Sequence, residues 1–297
     1  MIELNNVTKR FGSFAALDEL TFTVPRGSVC GLIGPNGAGK TTAIRTVTGM
    51  LRPDEGSVCL DGAPVWENTA AKARMFCIPD SPWAFAGAST REMMRFTRRI
   101  YPTFDDERYE KLRGVFSLDD KTPIRRLSRG MKKQSAFWLA LAARPEVLLL
   151  DEPVDGLDPV MRRKIWQLIV AEVEEREMTV LVSSHNLREL EDVCDRVVIL
   201  QRGRCLLEAS VADLQESVCK FLLALPEGGE LPEGLDILSR SQTGKLTTLI
   251  LRGREEELRQ KLRAANPDFL DVQPLTLEEI FIYEVGGDTD AVRDILA

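Results

Sequence analysis

Hydrophobic positions fall first into short extended runs. Residues 2–7 and 20–24 read as strands, and residues 28–33 are apolar almost throughout, as in a strand buried on both faces. A glycine-rich loop follows. Residues 41–50 then read as a short helix stopped near Gly49, and residues 56–60 with Asp61-Gly62 as a strand and turn. From Pro82 to about Arg126 the pattern turns helical and basic, with Arg91, Arg95, Arg98, Arg99, Arg108, Lys111 and Arg113, which predicts a separate helical insertion. A helix over about 131–143, a strand at 147–150, a helix over about 160–176 and a strand at 179–183 come next. Strands alternating with helices predict a parallel α/β sheet. Residues 196–200 and 205–208 flank Gln201-Arg202-Gly203-Arg204 as a hairpin. Beyond Ala209 the composition shifts: a loop-like stretch at 226–234, a strand at 246–251, a helix at 255–265 and an amphipathic segment at 277–285 predict a small α+β appendage.

Composition narrows the class. With 297 residues, 44% hydrophobic and 29% charged, the chain can bury a full core and is expected to be soluble and globular. Its formal charge of −7 argues against generic nucleic-acid binding, which favours a basic surface. The acidity is uneven: residues 213–297 hold 17 acidic and 9 basic residues, net −8, and residues 1–212 hold 29 and 30, net +1. The start has neither a basic n-region nor an apolar h-region, so no secretory leader is expected. The longest charge-free stretch, 27–39, is glycine-rich and well short of the roughly 18–20 residues a membrane helix needs. Cys30, Cys59, Cys77, Cys194, Cys205 and Cys219 form no C-x-x-C pair, and His185 is the single histidine, so structural zinc is not expected. Reduced, buried cysteines acting as small apolar residues are expected instead.

Gly34-Pro35-Asn36-Gly37-Ala38-Gly39-Lys40-Thr41 satisfies G-x-x-x-x-G-K-[ST] between an apolar strand and a helix, where that phosphate loop belongs. Its glycines let backbone N–H groups curl around phosphate oxygens, and the helix N-terminus adds partial positive charge. Lys40 supplies a full charge toward the β- and γ-phosphates, and Thr41 offers a hydroxyl to Mg²⁺. Val147-Leu148-Leu149-Leu150-Asp151-Glu152 ends a buried strand in two carboxylates. Asp151 suits Mg²⁺; Glu152 suits the attacking water, as proton acceptor and orienter.

At this point the sequence resembles the ATP-binding subunits of ABC transporters, over residues 1 to about 210. Leu127-Ser128-Arg129-Gly130-Met131 is similar to the family signature LSGGQ, Gly156-Leu157-Asp158 to the D-loop, and Ser184-His185 to the switch histidine; Phe11 sits where the family places an aromatic ring over adenine. The resemblance implies a P-loop NTPase fold of the ABC type: an ATPase domain over 1–210, with an antiparallel β subdomain and a helical subdomain at about 82–130, followed by an accessory α+β domain over 211–297. It implies a head-to-tail dimer, homo- or heteromeric, sandwiching two ATP molecules with Mg²⁺. Each ATP then meets Phe11, Gly34, Asn36, Gly37, Ala38, Gly39, Lys40, Thr41, Thr42, Asp80, Asp151, Glu152 and His185 of one chain and Ser128, Gly130 and Asp158 of the other. Lys40, Glu152 and His185 are the expected catalytic residues; Thr41, Asp80 and Asp151 are the expected metal-side groups. An integral-membrane permease is the implied partner, engaged by the helical insertion, with the chain peripheral on the cytoplasmic face. The end of the chain, around Leu275-Thr276-Leu277-Glu278-Glu279-Ile280, is similar to subunits serving ABC-2-type permeases, which are mostly exporters.

Four positions depart from the family pattern. Asp80 stands for a Gln that touches Mg²⁺ and water, Arg129 for a signature glycine, Met131 for the signature Gln, and Asp155 for a small hydroxyl residue. Arg129 either adds charge near the phosphate or points to solvent. These departures keep a catalytically silent regulatory subunit as an alternative. Soluble non-transport ABC ATPases usually carry two cassettes or a long coiled coil; here one cassette has about 86 residues between phosphate loop and signature.

Overall fold

A computed structural model describes residues 1–226 and 229–285. The chain divides into two compact units, one of residues 1–185 and 193–208, the other of residues 186–192 and 209–297.

The first unit opens with β1 (Ile2–Phe11) and β2 (Phe14–Val24), a hairpin, followed by β3 (Val29–Ile33) and α1 (Lys40–Val47). Next come β4 (Glu55–Leu60), β5 (Ala63–Pro64), α2 (Thr69–Ala73), β6 (Met75–Ile78), α3 (Thr90–Ile100) and α4 (Asp106–Phe116). Then follow α5 (Arg129–Ala143), β7 (Val147–Asp151), α6 (Pro159–Arg176), β8 (Thr179–Ser184), β9 (Arg196–Gln201) and β10 (Arg204–Ser210). Among the described residues these strands make an antiparallel sheet in the order β2-β1-β4-β5 and a six-stranded sheet in the order β10-β9-β3-β8-β7-β6. In the larger sheet β9, β3, β8, β7 and β6 run parallel. Every residue of β3, β7 and β8 is buried, which explains the near-continuous apolar runs of β3 and β7. One core of buried hydrophobic residues joins both sheets to α1, with Leu4, Leu17 and Phe22 in the same cluster as Leu32, Ile44 and Leu149.

β1 runs four residues beyond its expected end. Asn6 takes φ +48°, and the pairing with β2 shifts between Leu4 and Val7 and again before Lys9, so the bulges break the period of two that marks a strand in sequence. The expected insertion at 82–126 resolves into α3 and α4, separated from β6 by a non-helical stretch. A capping box of Ser89 and Glu92 starts α3, and the Asp105 carboxylate accepts from the Arg108 N–H to start α4. Trp138 of α5 is fully buried, stacks on Tyr109 at 4.6 Å and donates its indole N–H to the Tyr109 carbonyl at 2.8 Å. This contact ties α4 to the helix that begins at the signature.

The second unit holds the turn Leu187–Glu189, α7 (Val211–Ser217), β11 (Val218–Ala224), β12 (Ile237–Thr243), β13 (Leu246–Arg252), α8 (Glu255–Arg263), β14 (Phe269–Gln273) and α9 (Leu277–Val285). Its antiparallel sheet has the order β12-β13-β11-β14, and Phe221, Leu223, Leu249 and Leu251 pack with Leu258 and Leu262 of α8 in a separate core. Of the loop expected at 226–234, Glu227 and Gly228 lie outside the described residues, as do 286–297 of the expected accessory domain. Cys30, Cys194 and Cys219 are buried, while Cys59, Cys77 and Cys205 are only half-buried; burial pushes the Cys30 thiol up to about 12. Among the described residues no helix is long and apolar enough to cross a membrane.

Candidate functional site

The site begins where β3 leaves the sheet. A Cβ on Gly34 would sit 2.4 Å from the Leu200 carbonyl oxygen, so the chain turns there only as glycine. Gly37 and Gly39 take φ of +83° and +109°, and a Cβ on Gly39 would lie 2.6 Å from the Ala16 carbonyl. This backbone delivers the N-terminus of α1 to a cleft of about 380 Å³ lined by residues 35–42, Phe14, Ala16, Asp80 and Glu152. Lys40 is buried, donates to the carbonyls of Gly34 at 2.5 Å and Pro35 at 3.2 Å, and stands 3.4 Å from the Glu152 carboxylate. The lysine charge thus lies over the loop that a phosphate would enter.

Two strand ends supply the acids. Asp151, buried at the end of β7, accepts hydrogen bonds from the Thr41 hydroxyl at 3.1 Å and the Ser183 hydroxyl at 2.7 Å. Glu152, one residue on, takes φ +45°; its N–H donates to Ser183 Oγ at 3.0 Å, and its carboxylate lies 2.9 Å from His185 Nδ1. Asp155 completes a cluster in which one ligand atom from each of Glu152, Asp155 and His185 falls within 4.8 Å of the others.

The structure brings Gly34, Asn36, Gly37, Ala38, Gly39, Lys40, Thr41, Thr42, Asp80, Asp151, Glu152 and His185 together around this cleft and its rim. Phe11 is not among its lining residues: it pairs across the β1–β2 hairpin with Phe14, which lines the cleft instead, and its ring lies 5.9 Å from the Lys9 ammonium. Ser128, Gly130 and Asp158 do not line it either. The Ser128 hydroxyl accepts the Met131 N–H to cap α5, and the Asp158 carboxylate accepts the Met161 N–H to cap α6. Gly130 packs so closely on the turn after β7 that a Cβ there would stand 2.4 Å from the Gly156 carbonyl oxygen.

Three of the four departures from the family pattern, Asp80, Arg129 and Asp155, lie together. The exposed Arg129 side chain pairs with Asp80 at 2.8 Å and lies 3.9 Å from Asp155. Lys133, one turn further along α5, lies 3.4 Å from Asp80. Burial works to raise the Asp80 carboxyl, but the Arg129 hydrogen bond and the Lys133 charge outweigh it and hold it below the usual carboxylate range. Sequence reasoning missed Lys133, Ser183 and Phe14. A serine in the buried run before His185, and a lysine one helical turn after Arg129, were the available signals.

A mononucleotide cradle at the carboxyl ends of a parallel sheet, with an acid pair at the end of β7, the next strand but one from β3, defines a P-loop ATPase. The ABC transporter family description matches residues 17–155. The chain is 32% identical over 288 residues to the ABC transporter ATP-binding protein YtrB of Bacillus subtilis, covering 97% of this chain and 99% of that one. It is 30% identical to the Nod factor export ATP-binding protein I of Sinorhizobium fredii, over 97% of this chain and 86% of that one. It is 32% identical to the bacitracin transport ATP-binding protein BcrA of Bacillus licheniformis, over 75% and 74%. A solved ATP-binding subunit of an ABC transporter superposes with a TM-score of 0.67 at 26% identity, covering 72% of this chain and 92% of that one. A dimeric post-hydrolysis cassette bound to ADP and Pi shares the fold, with a TM-score of 0.64 at 23% identity over 71% and 99%. The chain belongs to the ABC transporter family, as an ATP-binding subunit with the ATPase fold of that family.

Proposed function

We propose that this chain closes head-to-tail with a second ATPase subunit around two ATP-Mg²⁺ and thereby drives export through a separate integral-membrane permease, to which it binds on the inner face of the membrane. The observation that carries the reading is the convergence of Lys40, Glu152 and His185 over one glycine cradle. Within it residues 1–210 form the ATPase domain and 211–297 an accessory domain.

The backbone N–H groups of the 34–39 loop and Lys40 bind the β- and γ-phosphates, and Phe11 or its hairpin neighbour Phe14 stacks on adenine. The Thr41 hydroxyl and Asp151 carboxylate are adjacent oxygen donors of the kind a hard divalent cation takes, and they fit Mg²⁺. Asp80, already paired with Arg129 and Lys133, is the less available metal-side acceptor. Bound Mg²⁺ would neutralise charge developing on the phosphoryl oxygens. Glu152 orients the attacking water and takes its proton as the bond from the β-bridging oxygen to the γ-phosphorus breaks; His185 holds the Glu152 carboxylate in place. Ser128, Gly130 and Asp158, all outside the chain's own cleft, face the γ-phosphate bound by the other subunit. Loss of that phosphate removes the contact shared by both subunits and the dimer opens. A relative named for the export of Nod factor supports the direction.

Affinity isolation of the tagged Glu152→Gln chain from detergent-solubilised source membranes, with and without ATP-Mg²⁺, tests this. Stoichiometric recovery of a polytopic protein is expected; recovery only from the soluble fraction overturns the transport partner while leaving the nucleotide site standing.

A further inference from the structure

Glu152 stands in a backbone conformation its own sequence opposes. A side chain bearing a Cβ at φ +45° is disfavoured, and the next residue is Pro153, which biases its predecessor toward extended geometry. Such a conformation persists only where neighbours over-determine it. On the amino side, the Glu152 N–H is fixed by Ser183 Oγ of β8 at 3.0 Å. On the carboxyl side, the Glu152 carbonyl accepts a short hydrogen bond from the Lys133 ammonium, which comes from α5.

Lys133 is fully buried. Taking an ammonium out of water is costly, and burial shifts its pKa below the ordinary lysine value against the pull of Asp80. A residue that served only to pack α5 would be better as methionine or leucine. The group is instead spent on two acceptors, the Glu152 carbonyl and the Asp80 carboxylate at 3.4 Å.

We infer that Lys133 is a positioning residue for hydrolysis: by clamping the Glu152 carbonyl it holds that residue left-handed and so aims its carboxylate at the water site between Lys40 and His185. The inference rests on the role given above to Glu152. It also links the signature helix to the acid of the same chain, since Lys133 lies one turn beyond Arg129 on the helix that Ser128 caps.

The test is single-turnover phosphate release and ATP binding by the full chain. Lys133→Met is expected to lower the hydrolysis rate roughly 10–100-fold, as misplacement of a catalytic group does, with ATP Kd changed less than about twofold. Lys133→Gln, which keeps a donor for the carbonyl but no charge, is expected to recover to within about threefold of the native rate. In the Glu152→Gln background Lys133→Met is expected to add no further loss, because residues acting as a unit are not additive. Native turnover by Lys133→Met, parallel loss of ATP binding, a Lys133→Gln chain as slow as Lys133→Met, or a further loss on Glu152→Gln each overturns the inference. Should Lys133→Met fail to fold, the Lys133→Gln chain decides alone: turnover within about threefold of native upholds the clamp, and a larger loss overturns it. A Glu152→Gln chain with native turnover overturns the role of Glu152 itself, an outcome distinct from native turnover in the Lys133 variants.

Discussion

His185 Nδ1 lies 2.9 Å from Glu152 Oε2, so the one histidine of the chain is committed to the carboxylate that ends the acidic strand. Removing the ring frees that carboxylate to rotate and leaves Lys40, 3.4 Å away, as its nearest charged partner. His185→Ala is therefore expected to lower kcat roughly 10–1,000-fold while ATP Kd stays within about threefold, since the lost contact orients a general base rather than binding substrate. Steady-state phosphate release with parallel fluorescence binding of ATP separates the two effects.

Thr41 and Asp151 are adjacent oxygen donors supplied by α1 and β7. Thr41→Val preserves shape and removes one of them. The concentration of Mg²⁺ giving half-maximal ATPase activity is expected to rise roughly 10–100-fold, the cost typical of weakening a metal's ligand environment. A Mg²⁺ titration at saturating ATP reads it directly; an unchanged midpoint removes Thr41 from the metal.

Gly130 and Gly114 make a matched pair of glycines on helices. A Cβ at Gly130 meets backbone at 2.4 Å, whereas one at Gly114 in α4 meets nothing within 4 Å. Gly130→Ala must displace the start of α5 or the 155–158 turn and is expected to cost about 1–3 kcal/mol of stability together with most ATPase activity. Gly114→Ala is expected to stabilise by about 0.5–1 kcal/mol, because alanine loses less backbone entropy in a helix. Urea unfolding of both variants checks the pair.

Asp120 gives the helical region a pH dependence. Its carboxylate is buried between Arg91 and Arg113, each at 3.0 Å, and accepts from the Tyr109 hydroxyl at 3.3 Å. Burial alone would raise its pKa; hydrogen bonds and charge from the two guanidinium groups prevail and hold it below the usual carboxylate range. A group with a depressed folded pKa contributes stability that is fully present above the unfolded value of about 3.9 and is lost as pH falls through the folded one. Asp120→Asn is expected to cost about 2–3 kcal/mol at pH 7, less than a fully dry pair because both arginines are partly solvated, and the gap to the native chain should persist down to about pH 4 and narrow only as pH falls further. Urea midpoints followed from pH 7 to well below about pH 4 test the sign.

Legibility in the sequence followed locality. β3 and β7 announced themselves as near-continuous apolar runs because both faces of the parallel sheet are covered, and the phosphate loop was readable because its residues are contiguous. β6 escaped notice: four residues are too few to display a period. β12 and β14 escaped as well, since half-exposed strands of a small sheet mix polar and apolar residues without clean alternation, and β11 escaped although it is apolar apart from Lys220. At the site, Arg129 stayed ambiguous because its partner Asp80 is 49 residues away. Ser183 and Lys133 act on the Glu152 backbone, and a backbone contact leaves no complementary side-chain type for sequence reasoning to find.

Hydrolysis through Glu152, of ATP bound in this cleft, in a closed dimer is the central step of the proposed cycle. The most direct measurement is phosphate release at saturating ATP-Mg²⁺ by the native, Lys40→Ala and Glu152→Gln chains, with light scattering to read their assembly. Turnover by the native chain, loss of ATP binding in Lys40→Ala, and a Glu152→Gln chain that binds ATP, turns over roughly 10²–10⁴-fold more slowly and accumulates as a dimer are the expected results. A Glu152→Gln chain that stays monomeric with ATP bound, or a native chain that binds ATP without releasing phosphate, would contradict it.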